Sequence, residues 1–154
     1  MNPERFRHRM RVRYHETDQQ GIVYHARYLE YLDVAMTEYF RHLGWADFRQ
    51  LLQEGFDPSL VRTTLHFRRP ARFEEEIDIA VWPARVGNSS FTLQYEIRSA
   101  ADEALLEAET IYVNFDAATR KSRALPAGVS ERLQAELPAG TQDRAGAACD
   151  ARRA

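Results

Sequence analysis

From Phe6 the chain alternates, with Phe6, His8, Met10, Val12 and Tyr14 on one side of an extended segment and Arg5, Arg7, Arg9, Arg11 and Arg13 on the other. A period of two with every second position charged predicts a strand with one solvated face. At Tyr28 the period changes. Tyr28, Leu32, Ala35, Met36, Tyr39, Phe40 and Leu43 recur at the three- and four-residue steps of one helical face, and Gly44 supplies the stop. The stretch 47–55 predicts one or two further helical turns closed by Gly55. Residues 60–67 alternate weakly before Pro70. Ile77, Ile79 and Val81 then share a strand face that Pro83 is expected to end, and Gly87, Asn88 and Ser89 read as a hairpin turn into Phe91, Leu93, Tyr95 and Ile97. After a turn at 101–103, residues 105–115 carry bulky side chains on both faces near their end, which suits a central strand. One long helix followed by about four antiparallel strands is an α+β pattern in which a single helix packs on one sheet of about five strands.

Composition narrows the class without changing that picture. A chain of 154 residues is the length of one domain, and 44% hydrophobic with 29% charged residues is enough to bury a core, which excludes a disordered polymer. The formal charge of −2 gives no global attraction for nucleic acid, although arginines cluster at 5–13 and 68–72. No run approaches the roughly 20 apolar residues of a membrane span, and the charged start MNPERFRHRM is unlike a signal peptide. The single cysteine, Cys149, allows neither an intrachain disulfide nor a cysteine metal set, so a cytoplasmic protein is expected. Residues 1–137 are expected to form one domain, its last piece, 129–137, a short amphipathic segment on the surface. Residues 138–154, poor in large apolar side chains, are expected to form a disordered tail.

The candidate chemistry lies between the first strand and the long helix, in HETDQQGIVYHA. Asp18 is an unpaired carboxylate in a loop at a helix entrance, able to serve as general base on water or as nucleophile on a carbonyl. It could equally cap the backbone of its own loop. His25, Ala26 and Arg27 stand where a helix usually carries Ser, Thr, Asp or Asn, so the amides of His25 and Ala26 are left for a ligand oxygen. His25 could orient water, hydrogen-bond Asp18 or fill the loop, and Tyr14 could reach the same site from the strand's end. His15, Glu16, Asp18 and His25 have metal-ligand side chains at a spacing that fits no standard set.

The same run resembles the signature of the 4-hydroxybenzoyl-CoA thioesterase family of hotdog-fold enzymes at every fixed position: Arg11, Val12, Thr17, Asp18, Gly21, Ile22, Val23, His25 and Tyr28. In looser form the resemblance extends to about Pro126. It implies a curved, mostly antiparallel sheet wrapped around the central helix, and an acyl-CoA thioesterase working without metal or redox cofactor. It also implies a homodimer, or two dimers paired as a tetramer, closed edge to edge. Thr17, Asp18 and His25 lean toward the Tol-Pal-associated short-chain acyl-CoA thioesterases rather than the aromatic enzymes. On this resemblance Asp18, His25 and Tyr14 are catalytic candidates, and Gly21, Val23 and Ala26 would lie against the thioester. Arg69, Arg72 and Arg85 with the Asn88, Ser89 and Ser90 turn are candidates for coenzyme A phosphates, which arginine forks and exposed amides suit. Arg27 departs from the Asn or Ser common at that position. Two other hotdog functions compete: a non-catalytic acyl-CoA sensor, which would need a DNA-binding module although a strand starting near Phe6 is expected to leave no space for an N-terminal helix-turn-helix and the tail carries no basic recognition helix, and a hydratase, which would need a different Asp and His placement on the helix.

Overall fold

The computed structural model describes residues 5–138 of the chain. Its elements are β1 (Phe6–Arg11), a 3-10 turn (Tyr14–Glu16), α1 (Arg27–His42), α2 (Phe48–Gln53), β2 (Pro58–Phe67), β3 (Glu76–Val86), β4 (Ser90–Ser99), β5 (Ala104–Asp116), β6 (Lys121–Ser122) and α3 (Ala127–Ala135). The sheet runs β1-β3-β4-β5-β2 with every neighbour antiparallel, and the two-residue β6 pairs with β5. This is the α+β arrangement expected, a curled sheet with its long helix on the inner face.

The seam follows from the periodicity. Tyr28, Tyr31, Leu32, Ala35, Met36, Tyr39 and Phe40 on α1 are buried against Ile77, Ile79 and Val81 of β3, Phe91, Leu93, Tyr95 and Ile97 of β4, and Leu106, Ala108 and Tyr112 of β5. At roughly 1.5–3 kcal/mol for each large apolar side chain removed from water, this seam is the main source of stability. Phe40 is its hub, touching the rings of Tyr39, Trp45, Phe48, Phe56 and Phe91. Gly44 ends α1 at φ +107, where the Trp45 amide reaches Phe40 O and the Gly44 amide reaches Arg41 O. That pair of bonds needs a left-handed residue between them, which glycine adopts without strain.

Four particulars differ from the pattern's expectation. Strand β1 ends at Arg11, and Tyr14, expected on its apolar side, is 79% exposed because the chain tightens into a 3-10 turn after the buried Val12. Pro83 does not end β3, since a register shift between Pro83 and Arg85 absorbs the missing donor and pairing continues to Val86. Strand β5 is interior, but β4 holds the centre of the order. The C-terminal helix, α3, is not merely surface-bound: Val129 and Leu133 are fully buried, and the Arg132 guanidinium lies over the Trp45 ring at 4.2 Å while donating to Leu43 O at 2.6 Å. Apart from Pro138, the tail at 138–154 lies outside the described residues. No helix among the described residues is long and apolar enough to cross a membrane.

Candidate active site

Strand β1 and helix α1 are joined by a turn whose shape follows from its own hydrogen bonds. The Asp18 amide donates to Ile22 O at 2.9 Å, the Gly21 amide donates back to Asp18 O at 3.0 Å, and Thr17 bridges Val23. Gly21, at φ +70, supplies the left-handed residue this tight reversal needs. The Gln20 amide donates to Asp18 Oδ1 at 2.8 Å, so the loop-capping role considered for this residue is real. It occupies one carboxylate oxygen, and among the described residues Oδ2 has no partner. Asp18 itself is exposed.

A second layer fastens this turn to the segment before β3. The Val23 amide donates to Ala71 O at 2.9 Å, Ile22 bridges Arg72, and the Ala71 amide donates to the buried Tyr28 hydroxyl at 2.9 Å. Burial pushes the Tyr28 phenol up, and the Ala71 amide offsets part of that shift. At the helix entrance the Arg27 amide turns back to Tyr24 O at 2.8 Å, and Ala26, the residue before the first turn, supplies no side-chain cap. Among the described residues the amides of His25 and Ala26 have no acceptor in the chain. Both sit at the positive end of a 16-residue helix.

A cavity of about 280 Å³ lies between these parts, with Asp18, Val23, His25 and Tyr28 on one side and Phe67, Arg68 and Arg69 on the other. The structure therefore brings Asp18, Val23, His25 and Arg69 together. Gly21 shapes the Asp18 turn, and Ala26 begins the helix that borders the cavity. Tyr14 is not brought in. Its ring packs edge-on against Phe73 at 5.7 Å and lines a separate groove along β1. Arg69 is already engaged, by Glu75 at 2.5 Å, Glu103 at 3.0 Å and Pro70 O at 3.1 Å. Arg85, exposed and without an acid partner among the described residues, stands with Asn88, Ser89 and Ser90 at the far end of the sheet, about 30 Å along β3 from its start at Glu76.

Residues 12–133 match the model of the thioesterase-like superfamily. The chain belongs to that superfamily. It is 32% identical over 129 residues to the acyl-CoA thioester hydrolase YbgC of Escherichia coli, covering 84% of this chain and 96% of the relative. It is 29% identical over 105 residues to the putative acyl-CoA thioesterase YneP of Bacillus subtilis, covering 68% and 75%. Among solved structures, a hypothetical protein from Thermus thermophilus superposes with a TM-score of 0.78 at 25% identity, over 86% of this chain and 98% of that one. A 1,4-dihydroxy-2-naphthoyl-CoA thioesterase from Synechocystis shares the fold with a TM-score of 0.76 at 22% identity, over 84% and 95%. The fold and the thioester-hydrolase family implied by the Arg11–Tyr28 motif are thus the ones found.

In this member of the superfamily some site residues escaped the sequence pattern. Tyr28 stands both in the helical stripe and in the motif, but neither shows that its hydroxyl accepts from the Ala71 amide. Glu16 reads as a loose metal-type ligand, yet it is 6% exposed and its Oε2 accepts from the Arg13 amide at 2.7 Å and the Tyr31 hydroxyl at 2.8 Å. A hydroxyl-bearing ring one turn into an otherwise apolar helix, beside a loop carboxylate, is the signal that could have paired them. Among the described residues no three His, Cys, Asp or Glu side chains converge as metal ligands.

Proposed function

We propose that this chain hydrolyses acyl-CoA thioesters in the cavity between the Asp18 turn and the entrance of α1. The observation that carries the reading is a cavity lined by Asp18, whose carboxylate has one unengaged oxygen, and by His25, whose amide and that of the adjoining Ala26 have no acceptor among the described residues. The thioester oxygen accepts from the His25 and Ala26 amides, which stabilise the negative charge that develops as the carbonyl carbon becomes tetrahedral. Asp18 removes a proton from water as the water oxygen bonds to that carbon. Collapse breaks the carbon–sulfur bond, and the proton held by Asp18 passes to the coenzyme A thiolate, leaving the free acid and the thiol. Attack by Asp18 itself, followed by hydrolysis of the mixed anhydride, uses the same geometry. Water and protein groups suffice, without metal or redox cofactor. Tyr14 has no part in this reading, and His25 contributes its backbone.

The protein acts as a homodimer in this account. Strand β2 is an open edge that exposes Leu60 at 49%, Val61 at 57% and Phe67 at 52%, and Phe67 also borders the cavity. Antiparallel pairing of two β2 edges sets the Phe67 end of one copy beside the Pro58 end of the other. Within a copy, Pro58 pairs Asn114, and Val113 pairs Ser90, so the partner's Asn88–Ser90 turn and Arg85 come toward the Asp18 cavity. A cytoplasmic location, which suits the single cysteine and a coenzyme A substrate, completes the proposal.

Free thiol released from a panel of short, medium and aromatic acyl-CoAs tests the activity, with the highest kcat/KM expected on short or medium aliphatic acyl groups. Release from none of them by folded protein would leave a ligand-binding role instead.

A further inference from the structure

Resting on that reading of the site, we propose that Glu16 is its positioning residue, a buried carboxylate that fixes the Asp18 turn against α1 and so sets the spacing between the Asp18 carboxylate and the His25 and Ala26 amides. Asp18, Gln19, Gln20 and Gly21 are exposed, as are Tyr24, His25 and Ala26, so the reacting groups sit on two pieces of surface chain. Their mutual placement has to hold within about 0.5 Å for one thioester to meet both. Bonds inside the turn keep its shape, and the Val23–Ala71–Tyr28 bonds tie its far end to α1 only through a third segment, the one before β3.

Glu16 is where the three relevant segments meet. Its amide donates to Arg13 O at 3.1 Å, and its carbonyl accepts from the Tyr24 amide at 3.0 Å, just before the helix entrance. Its Oε2 accepts from the Arg13 amide at 2.7 Å, where β1 gives way to the turn, and from the Tyr31 hydroxyl at 2.8 Å, on α1 itself. Tyr31 is 2% exposed, and burial together with the Glu16 carboxylate pushes its phenol far up, so the hydroxyl stays a donor. No cation pairs with Glu16 among the described residues. A buried carboxylate served by two neutral donors is a costly way to fill space, and an apolar side chain would pack the same volume without a desolvation penalty. What the carboxylate adds is direction: it binds strand exit and helix at once, two residues before Asp18.

Tyr31→Phe keeps the ring and removes one donor, and Glu16→Gln keeps the shape and removes the charge. Each variant is expected to stay folded and to lower kcat by about 10- to 100-fold, with KM within about twofold of the parent. The double variant is expected to be no slower than the slower single one, because both break one link. In an Asp18→Asn background Glu16→Gln is expected to leave the residual rate unchanged, since Glu16 acts through Asp18. A fall in melting temperature with kcat retained would overturn the proposal, as would an undiminished effect of Glu16→Gln in the Asp18→Asn background. If Glu16→Gln does not fold, Tyr31→Phe carries the test alone. An Asp18→Asn enzyme that is fully active overturns the reading of the site itself, whereas an inactive one beside a fully active Glu16→Gln overturns only the role of Glu16.

Discussion

Asp18→Asn is expected to lower thioester hydrolysis by at least about a hundredfold while the protein folds and binds acyl-CoA as before. Asparagine retains the side-chain oxygen that accepts the Gln20 amide at 2.8 Å, so the turn through Gly21 keeps its shape. It replaces the unengaged Oδ2 with an amide that neither takes a proton nor attacks a carbonyl. Asp18→Ala loses the capping bond as well, at a cost of about 1 kcal/mol in stability, without a further large fall in turnover. Steady-state kinetics and thermal melts of both variants separate the roles. A structural Asp18 would show the opposite order, with Asn near parental activity and Ala impaired mainly in stability.

Val61→Asp is expected to convert the protein to a monomer and to raise KM for acyl-CoA by about tenfold or more. Val61 is the most exposed large aliphatic residue on the open β2 edge, and in the proposed dimer an aspartate there puts a carboxylate from each copy into the paired edge, where it must lose its water. The larger change is expected on KM because, in the proposed dimer, Arg85 and the Asn88–Ser90 turn, at the end of the sheet away from the start of β3 at Glu76, meet the coenzyme A bound in the partner copy. Sedimentation and kinetics on the same preparation check both halves. A monomer with parental kcat/KM would show that each chain carries a complete site.

Much of this was legible in the residues. A helical stripe from Tyr28 to Leu43 closed by Gly44 has no second long helix in the pattern to bury itself against, and the β3, β4 and β5 alternations supplied a sheet's inner face instead. The Asp18–Tyr28 spacing marked the turn and the uncapped helix start. Interactions between segments distant in sequence were not legible. Nothing local says that Tyr28 will accept from Ala71, that Tyr31 will meet Glu16, or that Arg69 will pair with both Glu75 and Glu103. Pro83 misled for a related reason: its missing donor stops a regular ladder, and only the paired β4 shows that a shifted register accommodates it. Tyr14 continued the alternation of β1 on paper, but the 3-10 turn, held by Glu16 from outside the strand, takes it off the sheet.

In the proposed site a thioester carbonyl rests on the His25 and Ala26 amides within reach of Asp18. The infrared carbonyl stretch of a carbon-13-labelled acyl-CoA bound to Asp18→Asn, which holds the substrate without consuming it, tests this directly. Two amides at a helix entrance polarise the bond, so the stretch is expected at lower frequency than for the same thioester in water. A bound thioester whose stretch is unchanged from its value in water would contradict the account.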